Sequence, residues 1–306
     1  MTMFEAILLT VITASTPLLL AAIGELVVER SGVLNLGVEG MMVMGAVMGF
    51  AGAQWTGNPY AGIVCAVLAG MFMALIFAFV TQTLVANQVA SGLALTLLGL
   101  GLSGMLGEAF VGQPGIKLPA LDIPGISDIP FIGPVFFGQD LLVYLSFALV
   151  VAVTWFLFVS RTGLKLRAIG DNHVSAHALG IPVVRYRYLA ILFGGACSGL
   201  AGAYLSLAYT PQWVENMTAG RGWIALALVV FGSWRPWRVV VGAYLFGAVW
   251  ISQLHLQALG SGIPSQFLSS LPYIATIVVL VLISSNRRLS LINTPAALGK
   301  PFVPER

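Results

Sequence analysis

The chain has 306 residues, 58% of them hydrophobic and only 8% charged, with a formal net charge of +3. A soluble domain carries about 25% charged residues, so 14 basic and 11 acidic side chains cannot clothe a water-facing surface of this size. Composition therefore excludes a soluble enzyme, a disordered scaffold and a secreted disulfide framework. It predicts an all-α, polytopic integral membrane protein, with residues 1–306 forming a single domain. Cys65 and Cys197 both lie in apolar runs and read as small buried hydrophobes. The first 23 residues hold no Lys or Arg, so the basic n-region of a cleavable signal peptide is missing.

A helix needs about 20 apolar residues to cross the hydrocarbon. In chain order the predicted spans are 6–23, 36–53, 60–80, 89–107, 141–159, 188–208, 222–232, 239–255 and 267–284. That is about nine, with eight to ten compatible with the pattern. The positive-inside rule orients them. With the N-terminus outside, Arg30, Arg161, Lys165, Arg167, Arg185, Arg187, Arg235, Arg238, Arg287, Arg288, Lys300 and Arg306 lie inside. Only Lys117 and Arg221 then lie outside, and the C-terminus is inside. The seventh segment is short: 11 helical residues cover about 16 Å. If it dipped in and returned without crossing, most basic residues after it would change side. It is therefore predicted to cross as a broken span near 211–232, with 211–221 supplying the missing depth. Such a segment survives in a membrane only when buried in protein or lining a cavity.

Three connections stand out. The external 108–140 loop carries five prolines (114, 119, 124, 130, 134) and the acids Glu108, Asp122, Asp128 and Asp140 against one Lys117. Such length without helical pattern points to a docking or gating surface, or to a simple connector. The cytoplasmic 161–187 loop is basic, with Asp171 as an N-cap, Gly180 as a C′ residue and Pro182 as a stop. A short helix over 172–179 is predicted there, outside the membrane. The third connection, 24–35, places two Glu and Arg30 at the inner surface, and Glu39 follows just inside the second span. A carboxylate at that depth is expensive and faces a partner or a cavity.

Small residues recur at four-residue spacing: Gly45 and Gly49; Gly99, Ser103 and Gly107; Gly194, Ser198 and Gly202; Gly195 and Gly199. They predict close helix packing. In the fourth span Asn87, Ser91 and Leu95 share a face, with Gln88 and Thr96 beside it. Polar groups on one face of an apolar span fit either a lumen or helix–helix hydrogen bonding.

Other motifs carry no chemistry. Gly99-Leu-Gly-Leu-Ser-Gly104 matches a dinucleotide fingerprint but sits inside an apolar span, without a preceding strand. His173 and His177 share a helical face, with no Glu between them and no third metal ligand in sight. Asn216-Met-Thr218 matches a glycosylation sequon on the outer side. No P-loop exists, so ATP, if used, is bound by another chain. No metal, cofactor or nucleic-acid site is predicted.

The stretch Gly24-Glu-Leu-Val-Val-Glu-Arg-Ser-Gly-Val-Leu-Asn-Leu-Gly-Val-Glu-Gly40 resembles the signature of bacterial ABC-transporter permeases of the branched-chain amino acid and simple-sugar superfamily, most closely its nucleoside-type branch. Further blocks agree in order: Asn87-Gln-Val-Ala-Ser-Gly-Leu-Ala-Leu95, then the Ile-Pro-rich stretch 123–134. Ala219-Gly-Arg-Gly-Trp-Ile-Ala-Leu-Ala-Leu-Val-Val-Phe-Gly232 and Trp234-Arg-Pro-Trp237 follow. The resemblance implies a non-catalytic permease in the bacterial inner membrane, paired with a second, often non-identical permease. Cytoplasmic ATPase subunits would drive it, and a periplasmic or lipid-anchored binding protein would deliver a solute, a nucleoside above simple sugars or branched-chain amino acids. It further implies that Arg167, Asp171, Asn172, Ala176 and Gly180 belong to the segment touching the ATPase. The family favours Asn-Pro-x-Ala-Ala there, whereas this chain has Asn172-His-Val-Ser-Ala176. Glu39, Asn87, Gln88, Ser91 and Thr96 are expected to line or border an alternating-access path.

Two other classes compete. A secondary transporter or channel would call for paired intramembrane charges, yet Glu39 stands alone in the predicted spans. An intramembrane enzyme would call for a nucleophile–base pair, and no motif links His255 with Cys197.

Overall fold

In the computed structural model, residues 3–121, 137–258, 264–284 and 293–303 are described. Among them every regular element is helical. α1 spans Met3–Arg30, α2 Val38–Thr56, α3 Pro59–Ala78, α4 Gln88–Gly107 and α5 Leu141–Val159. Two short helices follow, α6 Arg161–Asp171 and α7 His173–Ala178. Then come α8 Val183–Tyr204, α9 Arg221–Phe231, α10 Pro236–Ala258 and α11 Ser265–Ser284. π-helical turns at Phe79–Thr83 and Leu205–Tyr209 extend α3 and α8. Among the described residues six helices are long and apolar enough to cross a membrane: α1, α3, α4, α5, α8 and α10.

α8 is the hub, packing on α1, α2 and α3. Its small residues face three ways. Gly194 abuts Gly24 and Val28 of α1, Gly195 abuts Gly70 and Ala74 of α3, and Gly202 abuts Met42 of α2. The four-residue spacings thus serve different neighbours, which brings helix backbones together without side chains between them. α4 uses Gly99 in the same way against Gly40 of α2.

Two expectations need correction. The first predicted span stops near residue 23, with 24–35 as an inner loop. Instead α1 continues to Arg30, and Glu25, Glu29 and Arg30 are buried on it. Charge ends a span in a hydropathy pattern, but here distant groups satisfy it: Arg30 donates to the Trp234 carbonyl oxygen at 2.8 Å, and Glu29 accepts from Trp234 Nε1 at 2.5 Å. Second, 161–187 holds two helices where one was expected, and Asn172 rather than Asp171 caps the second. Ser160 caps α6 by accepting from Gly163 N at 2.9 Å; Asn172 Oδ1 caps α7 by accepting from Ser175 N at 3.0 Å. Asp171 is the last residue of α6.

Of the 108–140 loop, residues 122–136 lie outside the described residues, with three of its prolines and Asp122 and Asp128. Its described ends are pinned: Leu118 N donates to the Leu207 carbonyl oxygen at 2.8 Å, and Ala120 bridges to Asp140.

Candidate functional site

Two stretches of chain interrupt the bundle, 31–37 before α2 and 210–220 before α9. In an apolar interior each exposed backbone N–H or C=O must find a partner. For 34–36 the partners come from α1 and α4. Asn35 N donates to Glu25 Oε1 (3.3 Å), Leu34 N donates to Gln88 Oε1 (2.9 Å), and Thr96 Oγ1 donates to the Leu36 carbonyl oxygen (3.0 Å). Asn35 Oδ1 then accepts from Gly37 N at 3.0 Å as α2 begins.

The chain from the second interruption through α9 leads from one end of the bundle to the other. Trp213 packs on Gly107 at the end of α4, and Trp234 reaches Arg30 at the end of α1. Midway, α9 starts against α2. A helix N-terminus presents unpaired N–H groups and a positive dipole end. Glu39 meets both needs. Its Oε1 accepts from Gly220 N (2.8 Å) and Thr218 Oγ1 (2.6 Å), and its Oε2 accepts from Gly222 N (2.6 Å). A Cβ on Gly222 would lie 2.6 Å from the Glu39 Cα, so only glycine fits the junction. Left-handed backbone brackets α9 on both sides: Asn216 and Ala219 (φ 56° and 47°) before it, Ser233 and Trp234 (φ 47° and 53°) after it. Conformations of this kind cost about 1–3 kcal/mol each and persist only where the surroundings fix them.

The predicted path residues divide accordingly. Glu39, Gln88 and Thr96 are buried and converge on the 34–40 segment. Gln88 Nε2 is buried without a hydrogen-bond partner. Ser91 is half-buried. Asn87 is exposed and caps α4 by accepting from Ala90 N at 3.0 Å. Hydrophobic periodicity missed Arg187, a buried guanidinium that ties four segments together. It donates to the carbonyl oxygens of Ser31 (3.2 Å) and Lys300 (3.3 Å) and to Gln82 Oε1 (3.5 Å), and it pairs with His173 Nδ1 (3.3 Å). The only sequence signal for it was membership of the basic run.

α6 and α7 form a platform on the end of α1. A Cβ on Gly170 would lie 2.2 Å from the Arg30 carbonyl oxygen, so the two backbones touch. Arg167 is half-buried over the Phe158 ring at 5.1 Å. Ala176 is buried, while Asp171, Asn172 and Gly180 are exposed, Gly180 closing α7 at φ 77°. Residues 293–303 strap this platform down. Ala297 N donates to the Gly170 carbonyl oxygen (2.8 Å), Gly299 N donates to the Gly32 carbonyl oxygen (3.1 Å), and the Phe302 ring sits 5.3 Å from both His173 and His177. Burial, then the Arg187 and Lys300 charges, hold the His173 pKa below its usual 6.5.

Interrupted segments thus meet at a buried carboxylate inside a bundle of apolar helices, an arrangement expected of a transport protein. The chain belongs to the family described as the branched-chain amino acid transport system permease component, whose profile matches residues 7–284. It is 42% identical over 291 residues (88% of each chain) to a Haloferax volcanii protein named provisionally as a glucose ABC transporter permease. It is 33% identical to a nucleoside ABC transporter permease of Lactococcus lactis (91% of this chain, 92% of that one). A guanosine ABC transporter permease of Bacillus subtilis is 31% identical (94% and 93%). The fold is shared with a solved ABC transporter, provisionally of metal-chelate type and facing inward. The TM-score is 0.53 at 16% identity, over 90% of this chain and 84% of that one. The protein is thus a multi-pass plasma-membrane permease subunit, non-catalytic itself, with the ATPase on a separate chain.

Proposed function

We propose that this permease imports a nucleoside by alternating access, as one of two membrane subunits driven by cytoplasmic ATPases and fed by an external binding protein. In this reading nine segments cross the membrane, with the N-terminus outside and α6–α7 inside. The observation that carries it is the Glu39 junction, where two interrupted segments meet inside the bundle. Half-helices that end within a membrane are built where a solute must pass. Gln88, Thr96 and Glu39 border this path from the inner side, with Ser91 beside them and Asn87 at its inner mouth. The unpartnered Gln88 amide is a donor free to meet a hydroxyl or a base.

Coupling runs through the platform. Arg167, Asp171, Asn172, Ala176 and Gly180 shape the α6–α7 surface that meets the ATPase. A push on α7 reaches His173, then Arg187, then the Ser31 carbonyl at the start of the first interruption. The nucleoside and guanosine permeases among the relatives support the cargo. The 42% identity to the Haloferax protein makes glucose the second reading.

The decisive measurement is uptake by proteoliposomes holding the complete transporter with its binding protein. ATP-dependent accumulation of labelled guanosine, unaffected by excess glucose, is expected. Accumulation of glucose alone would replace the cargo. Uptake without ATP would sink the ABC mechanism itself.

A further inference from the structure

One cavity lies apart from the Glu39 junction. It is a groove of about 680 Å³ on the side of the bundle. α5 and α8 both pack against α1 but not extensively against each other, and the groove lies between them. Its walls are Leu149, Ala152 and Phe156 from α5 and Leu189 and Phe193 from α8, with Val27 of α1 at its floor. α6 crosses its end and contributes Thr162 and Lys165, while the first turn of α8 contributes Arg185. Both cations are exposed, and no acidic side chain lines the groove.

A slot that is apolar along its length and cationic at one end fits an amphiphile with an anionic head. We propose that it is a binding site for an anionic phospholipid of the leaflet on the α6 side, its phosphate held between Lys165 and Arg185 and an acyl chain lying along the α5–α8 walls. Lys and Arg on membrane helices extend their stems over apolar surface and hold their charge at the headgroup level. A basic pocket between spanning helices selects anionic headgroups over zwitterionic ones. The two cations come from different elements, α6 and α8, so a headgroup between them bridges the coupling platform to the hub helix. The site is independent of which solute is carried.

The test uses the assembled transporter in nanodiscs with photo-crosslinkable phosphatidylglycerol, and phosphatidylcholine bearing the same chains. Phosphatidylglycerol adducts should map to residues 149–156 and 185–193 and exceed those of phosphatidylcholine several-fold. Lys165→Glu with Arg185→Glu should abolish that preference while leaving the transporter assembled. Ala152→Trp, which fills the slot without touching charge, should remove adducts of both lipids. Equal labelling by the two lipids, or a preference surviving the double charge reversal, overturns the proposal. So does a crosslink placing another permease subunit in the groove. Blocking of the adducts by inorganic phosphate alone would assign the two cations to a free anion and overturn it as well.

Discussion

The α3–α8 seam and the α2–α9 junction are both buried, yet they are built oppositely. At the seam Gly70, Gly195 and Gly199 meet backbone to backbone, with the Ala74 Cβ packed on Gly195. The junction is held by hydrogen bonds, three of them to one carboxylate, between segments that are not continuous helix. Close packing is bistable at best and resists partial movement. Hydrogen bonds can be exchanged for those of a solute. If the transporter works by alternating access, the seam should serve as frame and the junction as moving part.

Gly195→Leu breaks the frame and should have the largest effect. A Cβ there would lie 2.3 Å from the Ala74 Cβ and 2.5 Å from the Gly70 carbonyl oxygen. Both are on a packed helix with no room to retreat, so the cost exceeds the roughly 1–3 kcal/mol of ordinary overpacking. Size-exclusion profiles of the detergent-solubilised protein should show loss of the monodisperse species. A normal profile would mean that the seam is looser than its geometry.

Glu39→Ala attacks the junction instead. It strands the Gly220 and Gly222 amides and the Thr218 hydroxyl, at about 1–3 kcal/mol per unsatisfied buried group. Thermal stability should fall, and uptake should vanish while the ATPase still associates. Glu39→Gln, which keeps an acceptor oxygen, should recover stability before transport. Recovery of both together would make Glu39 a structural cap and nothing more.

The contrast between the regions also governs what the sequence could disclose. Helix positions were legible because the seam and its neighbours are written in apolar runs and small residues at helical spacing. Predicted 141–159 coincides with α5, and 222–232 lies within one residue of α9. Glu39 was legible as an anomaly, one carboxylate in an apolar run. Its partners were not, since Thr218, Gly220 and Gly222 lie about 180 residues away and two of them offer only backbone. The same distance hid the extension of α1, whose charges are answered from Trp234 and Asn293. The polar residues of α4 divide by burial, with Ser91 half-buried. Gln88, Leu95 and Thr96 turn inward, whereas Asn87, the neighbouring choice, is used up as a cap. Asp171 and Asn172 are adjacent cap-forming residues, and only the end of α6 decides between them.

Gly180→Val gives a smaller and cleaner effect. Gly180 sits at φ 77° with open space around a would-be Cβ, so valine costs conformational strain alone, about 1–2 kcal/mol. Gly57 offers the same combination, φ 69° and open space, at the turn between α2 and α3. If α7 couples transport to ATP hydrolysis, Gly180→Val should lower uptake per ATP hydrolysed, while Gly57→Val should not. Equal losses from the two substitutions would show strain acting on folding rather than on coupling.

The smallest expected effect lies in the strap over the platform. His173 has a lowered pKa in the folded protein, through burial and the positive charges of Arg187 and Lys300. The unfolded segment therefore binds a proton more readily than the docked one. The stabilisation from neutral His173 is complete above the usual value of about 6.5 and is lost as pH falls through it and below. Hydrogen exchange at Ala297 and Gly299, whose amides close the strap, should accelerate between pH 7.5 and 5.5 once intrinsic exchange is corrected for. Because the imidazole is only partly buried, the acceleration should stay below the tenfold that a full-unit shift would give. His173→Gln should flatten the dependence, and a slope unchanged by that substitution would move the titrating group elsewhere. The junction, satisfied by backbone and hydroxyl donors to Glu39 and remote from this histidine, should exchange at one rate throughout. A parallel acceleration at Gly222 would mean instead that the strap and the Glu39 junction open as one cooperative unit.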